Sequence, residues 1–209
     1  MSEPEMKRNE LDELPNIDHS DPPVDNSNLV VRINPDRNYF NLRGNASERA
    51  FLEAIKTCTG LELPQSANTF TELSEQQGLR IFWLGPDEWL IEAQQTLCNQ
   101  LLTDLGQALK GLHHSLIDIS GGNICLSLSG DMARYVLAKG CSLDLHFDVF
   151  KNGDCAQTSI GKASVLLALT TQPALFDLIV RRSFVEYLMM WLQQSGKEFD
   201  IDFSEAWTF

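Results

Sequence analysis

The chain predicts an α+β fold built from two pseudo-repeated strand-helix-hairpin-strand-helix units with mostly antiparallel sheets. Three observations carry that prediction. Alternating strand segments recur at Phe40-Asn41-Leu42-Arg43-Gly44 and Cys125-Leu126-Ser127-Leu128-Ser129-Gly130, their closing glycines 86 positions apart. Each is followed by a short amphipathic helix and then by paired strand signals. Each half ends on a longer helix with apolar residues at three- and four-residue steps. The repeats run from about 36 to 110 and from about 115 to 195, inside one globular domain spanning residues 29–209.

Residues 1–28 stand apart from that pattern. They hold eight acidic side chains against Lys7 and Arg8, with Pro4, Pro15, Pro22 and Pro23 among them. Few apolar side chains are present to offset ordering entropy, so a disordered acidic tail is expected. It is read as a solubilising extension in preference to a docking arm for a basic partner.

In the first repeat Asn45 is placed to cap a helix, with Glu48 at capping-box spacing and Ala50, Phe51, Ala54 and Ile55 as its apolar face. In the second, Asp131 is expected to cap a shorter helix that buries Met132, Ala133, Val136 and Leu137, and Gly140 to stop it in the left-handed region. Gly60-Leu61-Glu62-Leu63-Pro64 then corresponds to Ser142-Leu143-Asp144-Leu145-His146. Hairpins follow, from Thr69–Leu73 through Gln76-Gln77-Gly78 into Leu79–Leu84, and from Cys155–Ile160 through Gly161-Lys162 into Ala163–Leu169. Further strands at Glu88–Glu92 and Leu175–Val180 lead into the closing helices. Those helices present Leu97, Leu101, Leu105, Ala108 and Leu109, and Phe184, Val185, Leu188, Met189 and Leu192. Ser183 and Glu186 match a capping box that starts the last helix after Arg182, and Met189, Met190 and Trp191 read as core filling.

Composition narrows the function classes. The 209 residues are 43% hydrophobic and 22% charged, which is enough to build a core without staples. A net charge of −13 repels polyanions and argues against DNA, RNA or an acidic membrane face as a partner. Cys58, Cys98, Cys125, Cys141 and Cys155 form no CxxC pair, which excludes a zinc knuckle or a redox CxxC. The odd count, and a start reading Met1-Ser2-Glu3-Pro4-Glu5 without an apolar core, predict a reducing cytoplasm. No apolar run approaches the roughly 18 residues of a bilayer span. In that compartment the sequon Asn45-Ala46-Ser47 is a chance match.

The search for chemistry assigns no catalytic, cofactor-binding or metal-ligating residue. Adjacent His113 and His114 point apart in any regular element, and no other ligand lies at metal spacing, so they read as a polar helix-to-strand link. Cys141 is the best candidate nucleophile, with Lys139 nearby and His146 the one sequence-local histidine; without an oriented base it reads as structural. Asp118, between Ile117 and Ile119, is either a half-buried general base or a side chain facing water, and alternation favours water. Gly121-Gly122 lacks a phosphate-loop pattern and reads as a hairpin turn. Arg181-Arg182 puts two cations at the positive end of a helix dipole, which calls for an anion: an acidic group of this chain, one on a partner, or a small bound anion.

Four blocks in order and spacing carry a family likeness: Trp83-Leu84-Gly85-Pro86-Asp87-Glu88-Trp89-Leu90-Ile91, Ala138-Lys139-Gly140-Cys141-Ser142-Leu143-Asp144-Leu145-His146, Cys155-Ala156-Gln157-Thr158, and Val180-Arg181-Arg182-Ser183-Phe184. They resemble the gamma subunit of heterotetrameric sarcosine oxidase over roughly Asn38 to Ser195, with Ser142 where that family commonly has proline. The resemblance implies a fold related to the folate-binding domain of the glycine-cleavage aminomethyltransferase. It also implies a small, non-catalytic structural subunit of a flavoenzyme that oxidatively demethylates sarcosine to glycine. The one-carbon unit would pass to tetrahydrofolate or leave as formaldehyde, and oxygen would be reduced to hydrogen peroxide. The alpha and beta subunits would hold FAD, FMN, NAD and the folate site, and delta the zinc. Trp83, Trp89, Phe147 and Phe150 are the candidate anchors for such partners. A free-standing tetrahydrofolate-binding protein related to aminomethyltransferases or to iron-sulfur repair proteins is the alternative. Lys139-Gly140-Cys141 resembles the repair proteins' cysteine motif, although Ser142-Leu143-Asp144 replaces the glycine and glutamine expected after it.

Overall fold

The computed structural model describes residues 29–73, 78–170, 175–199 and 201–203. The tail at 1–28 and the Gln76-Gln77 part of the first hairpin turn lie outside them. In chain order the elements are β1 (Leu29–Asn34), β2 (Arg37–Gly44), α1 (Arg49–Thr59), β3 (Phe70–Glu72), β4 (Leu79–Gly85), β5 (Glu88–Gln94), α2 (Gln95–Ala108), β6 (His114–Asp118), β7 (Asn123–Ser129), α3 (Ala133–Ala138), β8 (Cys155–Ile160), β9 (Ala163–Leu169), β10 (Phe176–Arg181), α4 (Val185–Ser195) and β11 (Ile201–Asp202).

They form two sheets, ordered β3-β4-β5-β2-β6 and β11-β1-β7-β10-β9-β8. Every pairing is antiparallel except β1 with β11. The unit repeats as two strands, helix, hairpin, strand, helix, but its first strand is exchanged. β1 pairs with β7 of the second unit (Val31↔Leu128), and β6 pairs with β2 of the first (Leu42↔Leu116). Each sheet is therefore completed by the other half of the chain.

Alternation along the strands sorts side chains into three layers. Outward residues of the first sheet, including Phe40, Leu42, Ile81, Trp89 and Ile91, pack with Phe51 and Ile55 of α1 and Leu101 and Leu105 of α2. Outward residues of the second, including Leu126, Leu128, Leu167 and Leu178, pack with Val136 and Leu137 of α3 and Leu188 and Leu192 of α4. Inward residues of both sheets, among them Tyr39, Phe82, Leu90, Cys125, Leu166 and Ile179, meet in a middle layer. The architecture is thus helices, sheet, sheet, helices. The two sheets join where β3 approaches β8: Cys155 N donates to Asn68 O (2.8 Å), and Thr69 bridges Asp154.

Several local expectations give way to longer-range contacts. Asn45 does not cap α1; its Oδ1 accepts from Ser47 N and Oγ in a turn that delays the helix to Arg49, so Ala50 is exposed and Thr59 is buried instead. Asp131 makes no cap on α3, although Met132, Ala133, Val136 and Leu137 are buried as expected. Gly140 is not left-handed. It is needed for close approach, because a Cβ there would run into the Trp191 ring and lie 3.1 Å from Gly161 N. In α2 the buried stripe is Cys98, Leu101 and Leu105, continued by Leu109, while Leu97 and Ala108 face outward. The last helix begins at Val185 after a 3-10 turn over Arg182–Phe184, with no Ser183 cap bond, and Phe184 and Met190 are exposed. Gly121-Gly122 forms no hairpin turn: the 3-10 turn Ser120–Gly122 carries the chain from β6 in one sheet to β7 in the other. Among the described residues no helix is long and apolar enough to cross a membrane.

A candidate site between the sheets

The middle layer has two different ends. At one end, the buried Arg80 of β4 donates through Nε (3.0 Å) and Nη2 (2.7 Å) to Glu92 Oε1 on the neighbouring β5. Its Nη1 reaches across the gap to Asp177 Oδ2 on β10 (2.5 Å). Ser127 donates its hydroxyl proton to Asp177 Oδ1, and Asn34 Nδ2 donates to Ser127 Oγ (2.6 Å). Arg37 adds a second cation 3.7 Å from Glu92 Oε1. Glu92 is 0% and Asp177 4% exposed, so the guanidinium is the partner that two carboxylates withdrawn from water face. Burial works against the charge of Arg80, but the two carboxylates outweigh it and hold its pKa well above the ordinary value. Next to this cluster, burial and the Glu92 charge push the Tyr39 phenol far up. Among the described residues, Tyr39 Oη and Glu92 Oε2 have no hydrogen-bond partner.

The middle of the layer is apolar and holds two thiols. Burial is the main cause that raises Cys125 well above the usual range and pushes Cys155 up to about 12. Both are therefore neutral packing groups at physiological pH.

At the other end the sheets flank an open cleft of about 690 Å³. Asn41, Leu84, Glu88 and Leu90 line it from the first sheet, and Asn123, Gln157, Ser164, Leu166 and Arg181 from the second. Gln157 Nε2 donates to Leu84 O (2.9 Å) across its mouth. Glu88 accepts from Asn41 Nδ2 (2.8 Å) and from Arg43 Nη2 (2.5 Å). The exposed Arg181 side chain has no hydrogen-bond or ion-pair partner among the described residues, and Arg182 Nε donates to Gly121 O (3.2 Å). Among the described residues the dipeptide therefore has no carboxylate partner.

The other sequence candidates stay apart from one another. His114 opens β6 with Nδ1 3.0 Å from Leu112 O, and His113 is exposed beside it. Among the described residues no group of three or more His, Cys, Asp or Glu side chains is arranged to hold a metal. Cys141 Sγ lies 3.8 Å from Thr158 Oγ1, while the His146 ring sits tilted against Phe147 and faces Asp148. Asp118 is exposed, and its Oδ1 accepts from Ser120 N (2.9 Å) and Oγ (2.5 Å). Of the candidate anchors, Trp89 is fully buried with Nε1 donating to Pro64 O (2.7 Å), and Phe150 is buried under α3. Trp83 is half-buried, and Phe147 is 66% exposed beside the exposed Val149. The charged end escaped the sequence reading, although its signal is visible: Asp177 interrupts the run Leu175-Phe176-Asp177-Leu178-Ile179-Val180 at an inward position.

Layers, strand exchange and cleft together define a duplicated α+β module. The fold matches glycine cleavage system aminomethyltransferase T from Bartonella henselae at TM-score 0.63 and 12% identity, over 84% of this chain and 47% of that one. It matches a chain of the heterotetrameric sarcosine oxidase from Corynebacterium sp. U-96, in complex with pyrrole 2-carboxylate, at TM-score 0.74 and 29% identity, over 82% and 85%. The model of the sarcosine oxidase, gamma subunit family matches residues 43–198. Sarcosine oxidase subunit gamma of Corynebacterium sp. (strain U-96) is 32% identical over 146 residues, 70% of this chain and 69% of that protein. The subunit from Arthrobacter sp is 33% identical over the same length. The chain belongs to the sarcosine oxidase gamma subunit family.

Proposed function

We propose that this chain is the small structural subunit of a heterotetrameric sarcosine oxidase, bracing alpha, beta and delta subunits that carry the chemistry. In this reading the complex demethylates sarcosine to glycine and passes the one-carbon unit to tetrahydrofolate or releases it as formaldehyde, with oxygen taken to hydrogen peroxide. FAD, FMN, NAD, tetrahydrofolate and zinc would be held by the other subunits, in the cytoplasm. The observation that carries the reading is the match to the sarcosine oxidase heterotetramer, which spans both sheets at TM-score 0.74.

The side-chain environments support it. Cys125 and Cys155 are sealed in the middle layer as neutral thiols, and the charged end has its cation and carboxylates neutralising one another. The surface, by contrast, displays large apolar side chains: Phe147, Val149, Tyr135 and Met190 are each more than half exposed. Arg134 of α3 fixes the loop that carries Phe147 and Val149, donating through Nη1 to the Leu145 and Phe150 carbonyls and lying 4.9 Å from the Phe176 ring centroid. A held aromatic displayed to solvent is the form an interface anchor takes.

The test is a pull-down of the tagged full-length chain from its own host, with an absorption spectrum of the eluate. Flavin bands and stoichiometric larger subunits are expected. A chain that elutes alone, or that turns over a methylated amine with nothing added, overturns the reading.

A further inference from the structure

We propose that the inter-sheet cleft at Arg181 is a binding site for an organic carboxylate. The case rests on the internal duplication, which places the cleft and the charged end at corresponding positions of the two units. Arg80 is the second residue of β4, and its counterpart, the second residue of β9, is Ser164. Arg80 of β4 pairs with Glu92 of the neighbouring β5. In the second unit Val165 pairs with Val180, and continuing that register sets Arg181 opposite Ser164. The second unit therefore has Ser164 and Arg181 where the first has Arg80 and Glu92.

Two consequences follow from that replacement. Arg80 spans the gap between the sheets and fills it, whereas Ser164 offers only a hydroxymethyl group, and the space that a long side chain would occupy is the cleft of about 690 Å³. Such a volume suits a small molecule or one inserted side chain. The charge is also inverted. Where the first unit has the Glu92 carboxylate facing a built-in guanidinium, the second has the Arg181 guanidinium with no anion among the described residues. Glu88, the carboxylate on the opposite wall, is already taken by Asn41 and Arg43. Among the described residues the cleft thus lacks an anion at Arg181, and a planar guanidinium favours a carboxylate through paired hydrogen bonds. Leu84, Leu90, Ile119 and Leu143 along its wall give an apolar body a place to lie. Gly122 leaves room for the arginine, because a Cβ there would lie 3.2 Å from Arg181 Nη1.

Two sources can supply the carboxylate: a free organic acid, or an Asp or Glu side chain of a partner subunit. The first experiment titrates 4-fluorobenzoate into the full-length chain and follows the fluorine resonance. Saturable broadening is expected for the parent and for the control Arg49→Gln, whose site is exposed on α1. Arg181→Gln is expected to weaken binding by about tenfold or more. Ser164→Arg, which rebuilds the plug of the first unit, is expected to do the same. Gly122→Ala serves as a milder variant that disturbs only the seat of Arg181, and circular dichroism checks that each variant is folded. The same titration on the assembled complex separates the sources. Binding that persists marks a free acid, and binding that is lost, with Arg181→Gln loosening assembly, marks a partner side chain. The proposal is overturned if the parent chain shows no saturable binding, or if Arg181→Gln changes the affinity by less than about twofold.

Discussion

Arg80 Nη1 on β4 donates to Asp177 Oδ2 on β10 at 2.5 Å, joining the two sheets through a charge pair between residues 97 positions apart. The same guanidinium holds Glu92, so Arg80 is the cation that faces both carboxylates, which have almost no access to water, with Arg37 3.7 Å from Glu92 as a second. Removing it leaves buried charge uncompensated, which costs far more than the pair contributes while intact. Arg80→Ala is expected to lower the unfolding free energy by about 3–5 kcal/mol in a denaturant titration. Arg80→Met combined with Glu92→Gln and Asp177→Asn should recover a large part of that loss, because no ion is then stranded. A single-variant cost below about 1 kcal/mol would show that water reaches the cluster.

The thiols of the middle layer set an alkaline limit. Cys155 has its pKa pushed from the ordinary 9.0 to about 12, chiefly by burial, and Cys125 moves in the same direction. A raised folded-state pKa means that the folded chain holds the proton more tightly. That stabilisation is complete below about pH 9 and declines as pH climbs toward about 12. The Cys155 thiol contributes a slope of about 1.4 kcal/mol per pH unit across that window. Unfolding curves taken from pH 8 to 11 should therefore steepen less in Cys155→Ala than in the parent. Native alkylation at pH 8, read by mass spectrometry, should label the half-buried Cys58 and Cys141 before Cys98, Cys125 and Cys155.

How much of this was legible in the chain depended on range. The repeated unit, both hairpins and the cores of α2 and α4 follow from alternation and three-to-four spacing, which are local signals. Strand exchange is not local. β1 was missed because Leu29–Asn34 adjoins the acidic tail, and its partner β7 lies about ninety residues away. Gly121-Gly122 reads as a hairpin turn for the same reason: glycines mark a change of direction but do not say which sheet the next strand joins. The caps at Asn45, Asp131 and Ser183 failed because side-chain oxygens found partners in preceding turns, or none, as packing shifted the helix starts. The cleft was half legible. Arg181 stood out as a cation needing an anion, but Ser164 gains meaning only when β9 is laid over β4.

Gly140 illustrates a glycine needed for space. It sits where α3 meets the indole of Trp191 and the turn at Gly161, whose amide donates to Gly140 O (3.0 Å). An added methyl would meet both a rigid ring and backbone, so neither neighbour yields easily. Gly140→Ala is expected to cost about 1–3 kcal/mol by overpacking and to shift Trp191 emission. Pairing it with Trp191→Leu should remove most of that cost. If the double variant is no more stable than the single one, the backbone contact at Gly161 dominates.

The strand exchange makes a claim about divisibility. Residues 29–112 contain β1 through α2, but the fragment lacks β6, which covers the edge of β2, and its own β1 has no β7 to pair with. Residues 113–203 lack β1 in the same way, so β7 loses a neighbour and Asp177 loses Arg80. Each fragment would expose an apolar strand edge and strand part of a buried charge cluster, both of which favour aggregation over folding. Neither half is expected to give a dispersed amide spectrum alone. Co-expressed, the two should assemble one to one and recover the helix and strand content of the intact chain, since every pairing that is lost lies between them. A half that folds as a stable monomer would mean that the exchanged strands are dispensable and that the two units are separable domains.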